Sequence, residues 1–137
     1  MKIAVVYWSG TGNTELMAEA VTEGAKSAGA EVTMVTSDDF SSVDGYDAIA
    51  FGCSAMGSEE LEETSFEPMF ASIEDNLADK KIALFGSYGW GDGEWMRNWE
   101  ERVTGKCSAL LGTIICTDAP DDSVKEELKA LGKKLAE

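Results

Sequence analysis

Six consecutive residues have the chemistry of an anion-binding loop: Ser9, Gly10, Thr11, Gly12, Asn13 and Thr14. The two glycines permit a tight turn and close approach of the backbone, while a helix beginning here would offer free N–H groups and a partial positive charge. The segment has no lysine, which argues against a Walker A loop, and its glycine spacing does not fit Gly-x-Gly-x-x-Gly. It therefore predicts a site for one terminal monophosphate. The structural alternative is a capped turn that binds nothing.

The elements that must position this loop are short. Nearly continuous apolar runs indicate strands buried on both faces of a parallel sheet, and the stretches between them indicate helices. The predicted strands are Ile3 to Trp8, Glu31 to Thr36, Ala48 to Gly52, Lys81 to Phe85 and Ala109 to Cys116. After the first helix, further helices are predicted at Glu67 to Leu77, Gly93 to Val103 and Asp122 to Ala136.

Two of these helices have clear apolar faces. In the first, the face consists of Leu16, Met17, Ala20, Val21 and Gly24, with Asn13 or Thr14 as the N-cap and Gly29 ending the helix. In the last, it consists of Val124, Leu128, Leu131 and Leu135.

A β-α unit repeated five times predicts one α/β domain over residues 1–137, a three-layer doubly wound sandwich with right-handed crossovers. Ligands of such folds bind at the carboxyl ends of the strands. This rule selects four loops: Ser9 to Thr14, Cys53 to Glu63, Gly86 to Gly93 and Thr117 to Asp122.

The composition restricts the partners. A net charge of -15 without histidine argues against nucleic acid and anionic membranes, and is suited to proteins with basic docking surfaces or simply to solubility. The apolar run after Met1 is too short for a signal peptide or membrane span, which predicts a cytoplasmic protein. Cys53, Cys107 and Cys116 lack the spacing of a metal site and are expected to be reduced, mostly buried thiols.

Together with the loop, the residues around it resemble the flavodoxins, small carriers of one noncovalently bound FMN. Their N-terminal signature is matched by the stretch from Val5 to Ala18, and the resemblance extends over the whole chain. It is closest to the short-chain flavodoxins of anaerobic bacteria. It implies a flavodoxin-like sandwich, a five-stranded parallel sheet of order 2-1-3-4-5 with helices on both faces, in an acidic monomer.

The resemblance also implies two loops around the flavin ring. One contains Ser54, Ala55, Met56, Gly57, Ser58 and Glu59, and the other contains Ser87, Tyr88, Gly89, Trp90 and Gly91. Met56 would cover one flavin face, although a core position is equally compatible with a methionine. Trp90 would stack on the ring; the alternative is an ordinary, partly exposed tryptophan.

Three consecutive residues have further roles implied by the resemblance. The peptide after Gly57 would turn over on reduction so that its carbonyl accepts a hydrogen bond from flavin N5, with Ser58 affecting the cost. Glu59 would bond to flavin N3–H, or else be a solvated surface acid.

Trp8, Trp95 and Trp99 are expected to be core residues and are not predicted to belong to the site.

The implied function is electron transport, not enzyme catalysis: a low-potential one-electron carrier shuttling between semiquinone and hydroquinone. The alternative is an FMN-dependent quinone or nitro reductase of the same fold. A phospho-signalling receiver domain shares the topology, but it needs an acidic cluster at the end of the first strand, where Ser9 and Thr11 lie. Nine acidic residues are expected on the ligand side: Glu59, Glu60, Glu62, Glu63, Asp92, Glu94, Asp118, Asp121 and Asp122.

Overall fold

Strands and helices alternate along the computed structural model, which describes residues 1–137. The strands are β1 (Lys2–Trp8), β2 (Glu31–Thr36), β3 (Ala48–Cys53), β4 (Lys81–Tyr88) and β5 (Ala109–Thr117). The α-helices are α1 (Asn13–Ser27), α2 (Phe66–Ile73), α3 (Glu94–Val103) and α4 (Asp122–Leu135). None of these helices combines the length and apolar character needed to cross a membrane.

All neighbouring strands are parallel, and their order is β2-β1-β3-β4-β5. Strand β3 is central and all six of its residues are buried, which explains its unbroken apolar sequence. Edge strand β2 consists of exposed and partly buried residues, and none of its residues is fully buried. The predicted five-stranded sandwich, including its strand order, is therefore confirmed.

Each face of the sheet has its own core, because alternate side chains of a strand point to opposite faces. Ala4 and Val6 of β1 belong to the core beneath α2 and α3, whereas Ile3 and Val5 belong to the core beneath α1 and α4. The first core is aromatic. Trp99 meets the ring of Phe66 edge-on at a centroid distance of 5.3 Å, and Trp95 and Trp99 are both buried, as predicted.

Three local predictions are wrong. No α-helix follows β2: a single 3-10 turn, Ser37–Asp39, takes its place, and the buried Phe40 and Val43 cover the sheet there. The N-cap of α1 is Gly12, with φ of +96°, and not Asn13 or Thr14, which lie inside the helix. The side chain of Leu16 is 38% exposed and does not belong to the buried face.

Strand β4 extends three residues beyond the predicted end at Phe85. Its last residues pair with β5, so that Ser87 lies opposite Cys116 and Tyr88 opposite Thr117. The loop after β4 therefore begins at Gly89. All three cysteines are free thiols, and only Cys53 is fully buried.

Arg102 holds α3 against α2. Its guanidinium donates two hydrogen bonds of 2.7 Å to Glu67 and further bonds of 2.8 and 3.0 Å to Glu74, and it lies 4.9 Å from the centre of the Phe70 ring. The bonds to Glu67 and then Glu74 raise the pKa of Arg102, while its own bonds lower the pKa of Glu74. These contacts position α3, whose first residues reach the ligand edge of the sheet.

Helices α1 and α4 touch through two buried glycines. A Cβ on Gly24 would overlap the carbonyl oxygen of Lys129, and one on Gly132 would overlap that of Val21. Backbone contact of this kind leaves no room for any side chain at either position.

Gly132→Ala is expected to lower the free energy of unfolding by about 1 to 3 kcal/mol, because the helices must separate to admit a methyl group. The control Ala130→Gly, on the exposed face of α4, also destabilises, by about 1 kcal/mol, because there alanine is the better helix former. Urea unfolding measures the free energy of unfolding of both variants. A stabilised Gly132→Ala protein would show that helix propensity outweighs packing at this contact.

Candidate functional site

A cleft of about 240 Å³ opens at the carboxyl ends of β1, β3, β4 and β5, the edge at which open parallel sheets bind ligands. Its walls combine hydroxyl and amide groups with apolar and aromatic side chains. The lining residues are Trp8, Gly10, Thr11, Asn13, Ser54, Ala55, Met56, Ser87, Tyr88, Gly89 and Asp118. The structure thus brings residues of all four predicted ligand-side loops together.

The loop between β1 and α1 leaves a helix N-terminus available. Gly12 donates its N–H to the Ser9 hydroxyl at 3.0 Å, and no side chain caps α1. Thr11 and Asn13 line the cleft beside this N-terminus. The free N–H groups of the first turn, together with these side chains, can bind an anion without a cation.

A hydrogen-bond network centred on Thr14 joins the start of α1 to the ends of β3, β4 and β5. The fully buried Thr14 hydroxyl bonds to the Ser54 hydroxyl at 2.7 Å and accepts the Ser87 N–H at 3.3 Å. The Ser87 hydroxyl donates to the carbonyl of Asp118 at 2.5 Å. Three predicted cofactor-binding hydroxyls therefore bond to protein atoms, which orders the loops before any ligand binds.

Residues Met56 to Glu59 form a tight turn in the loop between β3 and α2, residues 54–65 (the β3–α2 loop). Glu59 donates its N–H to the carbonyl of Met56 at 2.9 Å, and Met56 donates to Glu60 at 3.0 Å. Neither Gly57 nor Ser58 has a positive φ, whereas Glu59 has φ of +55°. These features indicate a type I turn followed by a left-handed residue, so Gly57 does not use its special conformational freedom here.

The Glu59 carboxylate connects this turn to the loop between β4 and α3, residues 89–93 (the β4–α3 loop). It accepts the N–H groups of Asp92 at 3.0 Å and Trp95 at 3.2 Å. A Cβ on Gly91 would overlap this carboxylate. The Glu59 side chain is half-buried and bonded to the backbone, so the alternative of a freely solvated surface acid is wrong.

Trp90 is the most exposed large apolar side chain, with 65% of its surface accessible. It lies between Gly89, which lines the cleft, and Gly91, whose φ is +91°. This exposure is compatible with both predicted alternatives, a stacking surface and an ordinary, partly exposed loop residue. An indole beside a cleft offers a flat apolar surface to a planar ligand.

Several predicted cofactor-binding residues lie in the cleft loops without lining the cleft. This group consists of Ser9, Gly12, Thr14, Gly57, Ser58, Glu59, Trp90 and Gly91. The roles of these and of the lining residues toward a cofactor stay a prediction.

Two lining residues are absent from the predicted set. Trp8 packs against the core, as expected, but also lines the cleft. Asp118 has φ of +58° and is held in place by its N–H bond of 3.0 Å to Tyr88 and by the Ser87 hydroxyl. Their positions at strand ends are the signal that could have identified both residues, because Trp8 ends β1 and Asp118 comes directly after β5.

The acidic residues at this edge do not all face solvent. Glu62 is one of the nine acidic residues predicted for the ligand side, but it is only 5% exposed, because its carboxylate caps α2. It accepts the N–H groups of Thr64, Ser65 and Phe66 at 2.9, 2.7 and 2.9 Å, and also the Thr64 hydroxyl. Burial raises the pKa of Glu62 and is the largest single effect, but these bonds together lower the pKa below its usual range.

Comparisons with known proteins agree over nearly the whole chain. The family model described as Flavodoxin matches residues 5–134. A flavodoxin from Megasphaera elsdenii is 46% identical over 98% of both chains, and one from Clostridium beijerinckii is 43% identical over 96% of this chain and 97% of its own. The solution structure of two-electron reduced Megasphaera elsdenii flavodoxin, 44% identical, superposes with a TM-score of 0.88, covering 96% of this chain and 98% of its own.

Glu62→Gln is expected to lower the free energy of unfolding by about 1 to 3 kcal/mol at pH 7. The folded pKa of Glu62 lies below that of the unfolded chain, so its contribution is complete above the unfolded value, about 4.3, and is lost as the pH falls through the folded value. Urea unfolding from pH 7 to pH 3 should therefore show the gap between wild type and variant narrowing. The exposed neighbour Glu63→Gln is the control. A gap that does not change with pH would contradict the role of this carboxylate.

Proposed function

The chain belongs to the flavodoxin family of FMN-binding proteins, and on that premise we propose that it is a low-potential one-electron carrier in which FMN shuttles between semiquinone and hydroquinone. It acts as a cytoplasmic monomer, and its partners are redox proteins with basic docking surfaces. The FMN supplies the electron chemistry, while the protein binds and orients it.

The observation that carries the proposal is the unequal capping of the four helices. All begin at the cleft edge, and carboxylates already bond to the N-terminal N–H groups of three: Glu62 at α2, Glu59 at α3 and Asp121, 2.9 Å from the Val124 nitrogen, at α4. Helix α1 alone has no such partner. Its N-terminus is thus the available place for a phosphate.

Apolar side chains in and beside the rest of the cleft support a place for a flat, mostly apolar ring. Met56 and Tyr88 line it, and Trp90 lies exposed beside it. We propose that Trp90 stacks on the flavin and that Met56 covers the other face. The volume of about 240 Å³ is slightly below the roughly 300 Å³ at which ligand pockets usually begin. We propose that a ring held here keeps one edge in solvent, which suits electron exchange with another protein.

The turn at Gly57 is the place of a further element of the proposal, a hydrogen bond that protonated flavin N5 donates to the carbonyl of Gly57. Rotation of the peptide between Gly57 and Ser58 converts a type I turn into type II, while its ends stay in place. The type II form needs a positive φ at Ser58, which costs a residue with a Cβ about 1 kcal/mol or more. Ser58 therefore opposes this rotation.

Exposed carboxylates account for a low potential. Glu60, Glu63 and Glu94 lie on the cleft edge and make no ion pairs. One carboxylate at about 10 Å, with an effective dielectric constant of about 40, disfavours a negative flavin by about 0.8 kcal/mol before screening by salt. The same charges attract basic partners.

Anaerobic titration with dithionite tests the function. We expect flavin absorption bands in the purified or FMN-reconstituted protein, followed by a long-wavelength band of neutral semiquinone before full reduction. A colourless protein that FMN cannot reconstitute would refute the proposal. Rapid NADH oxidation with quinone by the pure protein would instead indicate a reductase.

Trp90→Ala is expected to raise the dissociation constant of FMN about threefold to tenfold, because it removes one stacking surface. Quenching of FMN fluorescence on binding measures this dissociation constant. Leu16→Ala, which truncates another exposed apolar side chain outside the cleft, should leave the constant unchanged. Equal constants for Trp90→Ala and wild type would remove Trp90 from the site.

A further inference from the structure

We propose that Trp95, a core residue by its burial, is a positioning residue that fixes the β3–α2 loop and the β4–α3 loop to each other. The inference rests on the proposed function, in which these two loops enclose the flavin ring. Trp95 is 2% exposed and does not line the cleft, so it acts through its neighbours.

The indole holds the base of the β3–α2 loop. Its Nε1–H donates to the carbonyl of Cys53 at 3.1 Å, in a buried environment. Cys53 is the last residue of β3, so this bond sets the direction in which the loop leaves the sheet. A Cβ on Gly86 would overlap the same carbonyl and lie 3.1 Å from Cζ2 of Trp95, so the glycine makes room for the contact.

The backbone of Trp95 holds the tip of the same loop. Its N–H donates to one Glu59 carboxylate oxygen, and the N–H of Asp92 donates to the other. Glu59 has a positive φ, which is unfavourable for a residue with a Cβ and persists where surrounding contacts hold it. Trp95 therefore binds the loop at two points, six residues apart along the chain.

The third contact reaches the wall of the cleft. The ring of Tyr88 packs against that of Trp95 at a centroid distance of 5.4 Å, and Tyr88 lines the cleft. Helix α3 is in turn held by Arg102. None of the hydrogen bonds of Trp95 involves the loop between β1 and α1. Loss of the indole bond should therefore disturb the ring end of the site and spare the phosphate end.

Trp99 provides a matched control one turn later on α3. It is 1% exposed, and its Nε1 has no hydrogen-bond partner. Replacing either tryptophan by phenylalanine removes the same atoms from the same aromatic core, but only Trp95→Phe removes a hydrogen bond, the one from α3 to the end of β3.

Affinities measured with riboflavin and with inorganic phosphate separate the two ends of the site. We expect Trp95→Phe to weaken riboflavin and FMN binding about threefold to tenfold, the effect of one buried hydrogen bond, with phosphate affinity unchanged. Trp99→Phe should change none of the three. Equal effects of the two substitutions, or a parallel loss of phosphate affinity in Trp95→Phe, would overturn the proposal.

Amide hydrogen exchange in the FMN-free full chain tests the positioning independently of flavin binding. In Trp95→Phe, the amides of Asp92 and residue 95 should exchange at least threefold faster than in Trp99→Phe. Unchanged exchange would refute the positioning role even if FMN binds. Faster exchange in a protein that does not bind FMN would uphold it while the proposed function fails.

A second variant covers the case in which Trp95→Phe does not fold. Glu59→Gln weakens the hydrogen bonds that the Glu59 side chain accepts from the N–H groups of Asp92 and Trp95, and it lies in a half-buried turn. The Trp95 indole N–H should then exchange at least threefold faster, and that of Trp99 should not change. If both indoles are unaffected, the two attachment points are not coupled and the proposal is wrong.

Discussion

The buried hydroxyl of Thr14 is the group on which the arrangement of the cleft depends. Loops that converge at a sheet edge have backbone groups without strand partners, and these groups must find hydrogen bonds when they are buried. Thr14 supplies an acceptor to the N–H of Ser87 and a partner to Ser54, and Ser87 extends the network to Asp118. One side chain from α1 thereby relates the ends of β3, β4 and β5, so the cleft has its shape before a ligand enters.

Acidic residues have structural roles at the same edge. Glu62, Glu59 and Asp121 each accept N–H groups at the start of a helix, where the helix dipole favours a negative charge. The chain accommodates part of its net charge of -15 in this way. No carboxylate bonds to the first N–H groups of α1, so this N-terminus stays available to an anion, next to the loop that resembles a phosphate site.

Much of the fold was predictable because a parallel sheet covered on both faces imposes a simple pattern. Continuous apolar runs predicted all five strands, and alternation with helices predicted the layers. The ends of the strands and the segments that follow them were less predictable. Strand β4 continues through Gly86 and Ser87, which look like loop residues, because β5 is long enough to pair with them. After β2, Phe40 and Val43 cover the sheet without a helix.

The sequence by itself determined the fold class and the family and predicted a phosphate loop, because these depend on residue types at close spacing, such as the glycines, the hydroxyls and the absence of lysine between Ser9 and Thr14. Only the tertiary structure decided which polar groups bond to protein. From the sequence alone, Glu62 is one of the acidic residues of the ligand side and Trp95 is an ordinary core residue. Their roles arise from partners on other segments, Cys53 for the Trp95 indole and the first turn of α2 for Glu62. Hydrogen bonds depend on distance in space, and the spacing of residues along a chain does not specify it.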